Sequence, residues 1–578
     1  MARKWLIAPP APDLESKSRA WGVPPILVQL LLNRGLSSRE DARRFLSPRL
    51  RELDPPHTLP GAERAAAMLV DALARRRRIV LYGDYDVDGI TGVSILWHVL
   101  TRAGGNVGFY VPHRVEEGYG LNPAAVARLA EEGAELLVSV DCGITACEPA
   151  RTLRERGVPL IITDHHTPPA ELPHAEVIVH PTVGGKAPNP HLCGAGVAFK
   201  LAWAVAQRLG DGERADATMR ELLMDLLPLA ALGTIADVVP LVGENRIIAC
   251  HGLERLPRSP LPGVQALIES AGLDGDRIDG YDVGFKLAPR LNAAGRMGHA
   301  RLAVELFTRA DARRAREIAL YLEEHNGSRQ AVERRITRQA VEMIEAKGLA
   351  GDARRAIVLA SEKWHPGVVG IVAARLVERY HRPVVLIAVQ DGVGQGSGRS
   401  IAPFHMSEAL SACAEHLADF GGHAMAGGLK IDPPRIPAFT EAFIAVANNR
   451  LTGDDLVKKV RIEAEVELEE LALPTVEAIT RLGPFGEGNP RPRLATGWLE
   501  LAGEPRCIGK TGAHLDVRFR RNGTTIRAIG FGMADRIEDL RARRRCRAAF
   551  EPMINTFHGR KNVEMRLLDL QFPPDGRL

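Results

Sequence analysis

The chain has 578 residues, 45% of them hydrophobic and 25% charged, with a formal charge of +4. That is too long for one core and ordinary for a soluble globular protein, so at roughly 150 residues per domain three or four domains are expected. From Glu504 to Arg566, fifteen Lys and Arg stand against seven Asp and Glu, a net +8 that leaves −4 for the rest of the chain.

The basic charge therefore belongs to the C-terminal end, which predicts a polyanionic partner there. Seven cysteines, at positions 142, 147, 193, 250, 413, 507 and 546, are odd in number and lack zinc-type pairing. This predicts a reduced, cytoplasmic protein with neither a disulfide framework nor a zinc site. Prolines cut the apolar run near the N-terminus, which argues against a signal peptide. The longest apolar stretch, residues 222–242, contains Asp225, Pro228, Asp237 and Pro240, so no membrane span is predicted.

In chain order, residues 1–60 read as a helical lead-in, with helices near 25–32 and 38–46, the second capped by Ser37 or Ser38. Residues 61–77 form an amphipathic helix. Strands at 79–82, 107–111, 136–140, 160–163 and 177–180 then alternate with helices at 92–103, 123–132 and 148–156. That alternation predicts a parallel, doubly wound α/β sheet, whose ligands gather at the carboxyl ends of strands. The chain turns helical through 196–232, and residues 300–347 carry the periodicity of long connecting helices.

A second, smaller α/β region spans about 355–448. It has strands at 356–360 and 384–389, a helix at 367–380, a glycine-punctuated loop at 394–400 and a second glycine-rich segment at 421–428. Short alternating segments from 456 onward predict a small β-barrel that carries the basic excess. The expected domains are 1–60, 61–300, 301–350, 351–452 and 453–578.

Three predicted strands end in metal-type ligands: Asp84, Asp86 and Asp88 in the run GDYDVDG; Asp141; and Asp164, His165 and His166. Close carboxylates repel one another, and a divalent cation relieves that repulsion; an acidic turn is the plainer reading of the first run alone. Carboxylate plus imidazole without thiolate suits Mn²⁺ or Mg²⁺. Seven such groups exceed the needs of one ion, so two ions and phosphoester hydrolysis are expected.

The motifs GDYDVDG, VSVDCG, TDHH, GTIADVVP and GGHAMAGG together resemble the DHH phosphoesterase superfamily, and within it the RecJ single-stranded-DNA exonucleases. The resemblance runs from about residue 60 to the C-terminus. It implies an α/β fold with a DHH domain, a smaller DHHA1 domain joined by long helices, and an oligonucleotide-binding (OB) barrel. It also implies two Mn²⁺ or Mg²⁺ ions held by Asp84, Asp86, Asp88, Asp141, His165 and Asp237, with Asp141 bridging. Asp141 and His165 would then be catalytic as well, His166 would contact the scissile phosphate, and Asp164 would orient His165. Arg290, Asn292 and Arg296, and beyond them Ser397, Arg399, Ser400 and His423, become candidates for substrate contact.

The implied activity is 5′-to-3′ hydrolysis of single-stranded DNA to mononucleotides, in repair and recombination. The implied protein is a cytoplasmic monomer, not on a membrane, with a single-stranded-DNA-binding protein and a helicase as candidate partners. Two other readings stay open. One is a phosphodiesterase of the same superfamily acting on dinucleotides or short oligonucleotides, and the other is a non-catalytic DNA-binding scaffold.

Overall fold

The computed structural model describes residues 3–113, 117–273, 277–296, 299–351, 353–557 and 559–573; the side chains of Arg296 and Phe557 lie outside the description. The chain divides into two compact units. One comprises residues 326–461 with the first few residues of the chain; the other comprises residues 7–325 together with the chain from 462 onward. The long helix Ala312–Ala346 gives its first part to the larger unit and its remainder to the smaller.

The larger unit contains a five-stranded sheet: β1 (Arg78–Gly83), β2 (Asn106–Tyr110), β3 (Leu136–Val140), β4 (Leu160–Thr163) and β5 (Val177–Val179). Its order is β2-β1-β3-β4-β5 and every pairing is parallel. Both faces are apolar, as a parallel sheet covered by helices requires. Leu81, Val138 and Ile161 join one buried cluster, and Val80, Leu137 and Ile162 the other.

Among this unit's helices are α1 (Val87–Arg102), α2 (Pro123–Glu131), α3 (Cys147–Glu155), α4 (Gly194–Leu209), α5 (Ala217–Ala236), α6 (Gly243–Arg255) and α7 (Ala288–Arg296). α1 begins five residues before the predicted start. Asp86 caps it, its Oδ1 accepting from the amides of Asp88 and Gly89 at 2.9 and 3.2 Å. The acidic run is thus the first turn of a helix and not a separate loop.

The C-terminal part of this unit builds β11 (Ala464–Val466), β12 (Leu494–Thr496), β13 (Leu499–Leu501), β14 (Arg506–Ile508), β15 (His514–Arg521), β16 (Thr524–Gly530), β17 (Arg545–Phe557) and β18 (Arg560–Gln571). The pairings β17–β13–β15–β16–β18–β17 return on themselves, so five strands close a barrel and bury their edges. The N-terminal helices Pro25–Asn33 and Arg39–Leu46 pack on it. Leu27, Leu30 and Ala42 share a core with Leu494, Phe519 and Phe550. Ser38 caps the second of these helices, accepting from Asp41 N at 3.0 Å.

The smaller unit has a mixed sheet of β6 (Ile357–Ser361), β7 (Val384–Gln390), β8 (Val393–Arg399), β9 (Asp419–Gly422) and β10 (Ala426–Ile431), in the order β9-β10-β8-β7-β6. The segment expected as a glycine loop is strand β8, paired on both sides. The sequence hides it because the residues facing the core are glycines. A Cβ at Gly394, Gly396 or Gly398 would come within 2.7 Å of Ile431, Leu429 or Met406. Alternation is present, but as glycine against polar residues, without the β-branched side chains that mark a strand.

Candidate metal centre

Parallel pairing with level strand ends builds the site. Gly83 pairs with Val140, Val140 with Thr163, and Thr163 with Val179. Asp84, Asp141 and Asp164 each follow by one residue. Their amides donate to Val140 O, Thr163 O and Val179 O at 3.2, 2.9 and 3.2 Å. Three acids from distant stretches of chain are thereby set in a row along one sheet edge. Asp141 has φ 63, a left-handed conformation that is uncommon away from glycine and turns the chain sharply at the end of β3.

His165 Nε2 lies 3.2 Å from Asp141 Oδ1, 3.6 Å from Asp237 Oδ2 and 3.8 Å from Asp88 Oδ2. Donor atoms gather into three groups within 4.8 Å: Asp84, Asp86 and Asp141; Asp88, His165 and Asp237; and Asp141, His165 and His166. Asp141 belongs to the first group and the third, and it lies against His165 of the second. Asp237 arrives as the C-cap of α5. The backbone amides of Gly194 and Ala195, at the start of α4, donate to the two oxygens of Asp88 at 2.5 and 2.8 Å. A helix N-terminus thus steadies one carboxylate of the cluster.

The electrostatics are those of a cation site. Burial, then the charges of Asp88, Asp86, Asp84 and Asp237, push Asp141 well above the ordinary carboxylate range. Burial and Asp88 likewise raise Asp86, and Asp237 is pushed up to about 8 by burial, Asp88 and Asp86. Burial lowers His165, keeping its imidazole neutral with a lone pair to offer. Asp141 Oδ1 and His165 Nε2 are sealed from solvent, yet neither makes a hydrogen bond to a described group. Buried polar atoms are rarely left so, and a divalent cation between them fits the donor set.

His166 differs from its neighbour. Burial would lower it, but the hydrogen bond and charge of Asp164 outweigh that and raise it to about 9. Asp164 Oδ1 sits 2.7 Å from His166 Nδ1 and accepts from the amides of His165 and His166, while Oδ2 accepts from Ile144 N. Asp164, expected to orient His165, meets it at the backbone amide and holds the ring of His166. Tyr119, which the sequence did not single out, has its hydroxyl 3.2 Å from His166 Nδ1 and 3.4 Å from Asp141 O. It lies on a glycine-flanked loop with no motif of its own, so no sequence signal marked it.

The substrate-contact candidates fall in two places. In the larger unit, Asn292 Oδ1 accepts from Val87 N at 3.2 Å and so ties α7 to the acidic turn. Arg290 is engaged by Glu323 at 2.6 Å and by Lys286 O, leaving its side chain 11% exposed. The side chain of Arg296 lies outside the described residues. In the smaller unit, Ser397 and Arg399 share a face of β8, Arg399 Nη1 donating to Ser397 Oγ at 3.0 Å. Ser400 is buried and its hydroxyl donates to Phe404 O at 2.6 Å. His423 is exposed in the turn between β9 and β10.

Family models match three stretches of the chain: the DHH family N-terminal domain over residues 78–234, the DHHA1 domain over 354–449, and the RecJ OB domain over 462–569. A Dickeya dadantii protein named single-stranded-DNA-specific exonuclease RecJ is 36% identical over 554 residues, covering 94% of this chain and 95% of that one. The chain belongs to the RecJ family. A Bacillus subtilis RecJ is also 36% identical, over 570 residues that make up 98% of this chain and 70% of that protein. The crystal structure of Thermus thermophilus RecJ in complex with Mn²⁺ superposes with a TM-score of 0.83 at 33% identity, covering 99% of this chain and 80% of that one. The crystal structure of the same protein in complex with Mg²⁺ gives a TM-score of 0.77 at 32% identity, covering 99% of this chain and 78% of that one. The α/β architecture with DHH, DHHA1 and OB domains is therefore that of the family.

Proposed function

We propose that this RecJ-family protein is a metal-dependent exonuclease that hydrolyses single-stranded DNA from the 5′ end and releases mononucleotides. The observation that carries the reading is the cluster at the carboxyl ends of the strands, where the buried Asp141 is common to two groups of metal-type donors. Its relatives are named single-stranded-DNA-specific exonucleases, and the 5′-to-3′ polarity rests on the resemblance of the motifs.

Asp84, Asp86, Asp88, Asp141, His165 and Asp237 are the residues that would hold two Mn²⁺ or Mg²⁺ ions. When bound, such ions lower the pKa of a water and draw charge from a phosphoryl group. The chain's own contribution is positional. The amides of Gly194 and Ala195 keep Asp88 aimed, and burial keeps His165 neutral. Asp164 and Tyr119 hold His166 as an imidazolium that can donate to a phosphate oxygen where negative charge develops. In the smaller unit, Arg399 and Ser397, beside the glycines of β8, form a second phosphate-type surface, to which His423 is a candidate addition.

A complete donor set argues against a non-catalytic scaffold. The closed barrel with its basic excess is unnecessary for a dinucleotide. Among the described residues no helix is long and apolar enough to cross a membrane; the cytoplasmic setting rests on the cysteine pattern of the sequence, seven in number and without framework spacing. An exonuclease of this kind needs free single strand, so a helicase that exposes it and a single-stranded-DNA-binding protein that occupies it are the partners to test; the chain is taken to act as a monomer. The decisive experiment follows strands labelled at either end, with and without Mn²⁺. Early loss of the 5′ label as mononucleotide, only with metal, supports the reading. Release from the 3′ end, or cleavage of dinucleotides in preference to long strands, overturns it.

A further inference from the structure

Tyr281 and Phe285 stack on one another, ring centroids 4.6 Å apart and planes inclined by 24°. They do so in the open, 49% and 68% exposed. Two large rings held together in water forgo the burial that a core would give each of them, and such exposed apolar surface marks a place of contact. The segment that carries Phe285, Val283–Leu287, is a π-helical turn that runs into α7. π turns are rare and concentrate at functional sites. Here Val283 and Leu287 are fully buried while Phe285 points outward, so the segment is anchored and its aromatic side chain is presented.

Three contacts connect this surface to the metal-type cluster. α5, which ends in Asp237, packs against the π segment. Asn292, further along the same helical run, accepts from Val87 N in the acidic turn. Gly295 lies so close to that turn that a Cβ would stand 2.5 Å from Tyr85 O. Beside Phe285, Lys286 is paired with Asp282 at 2.7 Å, which fixes the polar border of the aromatic pair.

We propose that Tyr281 and Phe285 form a stacking platform for an unpaired base of the DNA strand whose backbone enters the metal cluster. This rests on the nuclease reading above and names a part of its substrate site. Every base has a π face, and only an unpaired base can present it, so the platform favours single strands without reading their sequence.

The test measures binding and cleavage separately, in the full-length chain. Fluorescence anisotropy in EDTA gives the Kd for a labelled oligothymidylate and for the same backbone without bases. Phe285→Ala and Tyr281→Ala are expected to weaken binding of the base-bearing strand about tenfold, as loss of one stacked base implies. Phe285→Trp is expected to bind like the unmodified protein, and the baseless strand to bind all four proteins alike. Equal affinity of Phe285→Ala and the unmodified protein for oligothymidylate overturns the platform, as does an equal loss on the baseless strand. Cleavage in Mn²⁺ is read in parallel. Base-dependent binding without any cleavage would keep the platform and overturn the nuclease reading.

Discussion

At the scale of single residues, the cluster is defined by atoms that have nowhere else to go. Asp141 is buried against four other carboxylates and lies 3.2 Å from a neutral imidazole. Replacing it with alanine removes the donor that the two groups share. Asp141→Ala is expected to reduce Mn²⁺-dependent cleavage at least about a thousandfold while leaving single-strand affinity within a few-fold, because the phosphate contacts proposed at Ser397 and Arg399 would remain. A cleavage time course beside an anisotropy titration checks this, and retained cleavage would refute the shared-ligand assignment. The same repulsion predicts that metal stabilises the fold. Protein stripped with EDTA should gain thermal stability when Mn²⁺ is added, by about 2.7 kcal/mol at a hundredfold excess over Kd. Asp141→Ala should gain much less in the same melting experiment.

At the scale of elements, the start of α4 matters as much as the strands. Gly194 donates its amide to Asp88, and a Cβ there would lie 2.5 Å from Asp141 Cβ and Oδ1. One added methyl group would therefore push on a central donor while the helix itself is unharmed. Gly194→Ala is expected to weaken Mn²⁺ affinity on the order of tenfold to a hundredfold, with far-UV circular dichroism unchanged. Isothermal titration with Mn²⁺ measures it; an unaltered affinity would show that Asp141 can yield at no cost. Much of this edge was legible in the sequence, since each strand ends where an apolar run meets an acid. The start of α1 was not, because its cap is one of the very carboxylates that read as a loop. Strand β8 was hidden for the opposite reason: its inward positions are glycines, and a pattern of missing side chains looks like a turn.

At the scale of the whole molecule, one buried guanidinium links three distant parts of the larger unit. Arg246 on α6 donates to Phe45 O, Leu482 O, Arg481 O and Gly483 O, and its Cζ lies 3.8 Å from the centroid of the Phe45 ring. Burial brings its pKa down to about 10, so it remains charged at neutral pH. Arg246→Met would keep the volume and strand four carbonyls. It is expected to cost on the order of 3 kcal/mol, read as a lower urea midpoint, while Mn²⁺ affinity changes little. Nothing in the sequence distinguishes Arg246 from the many other arginines, because its partners are backbone oxygens contributed by segments some two hundred residues away.

The sequence by itself determined the chemistry: acids and histidines at the ends of apolar strands, no thiolates among them, and basic charge confined to the C-terminal barrel. Those are local patterns, written in neighbouring residues, and they led directly to a divalent-metal phosphoesterase. Only the tertiary structure decided which donors lie together, that Asp164 holds the ring of His166 while meeting His165 at its amide, that Tyr119 stands beside that ring, and that Arg290 is held by Glu323. Those outcomes depend on strand register and on where a helix begins relative to a strand end. Both are set by packing between residues far apart in the chain, and local spacing carries no record of them.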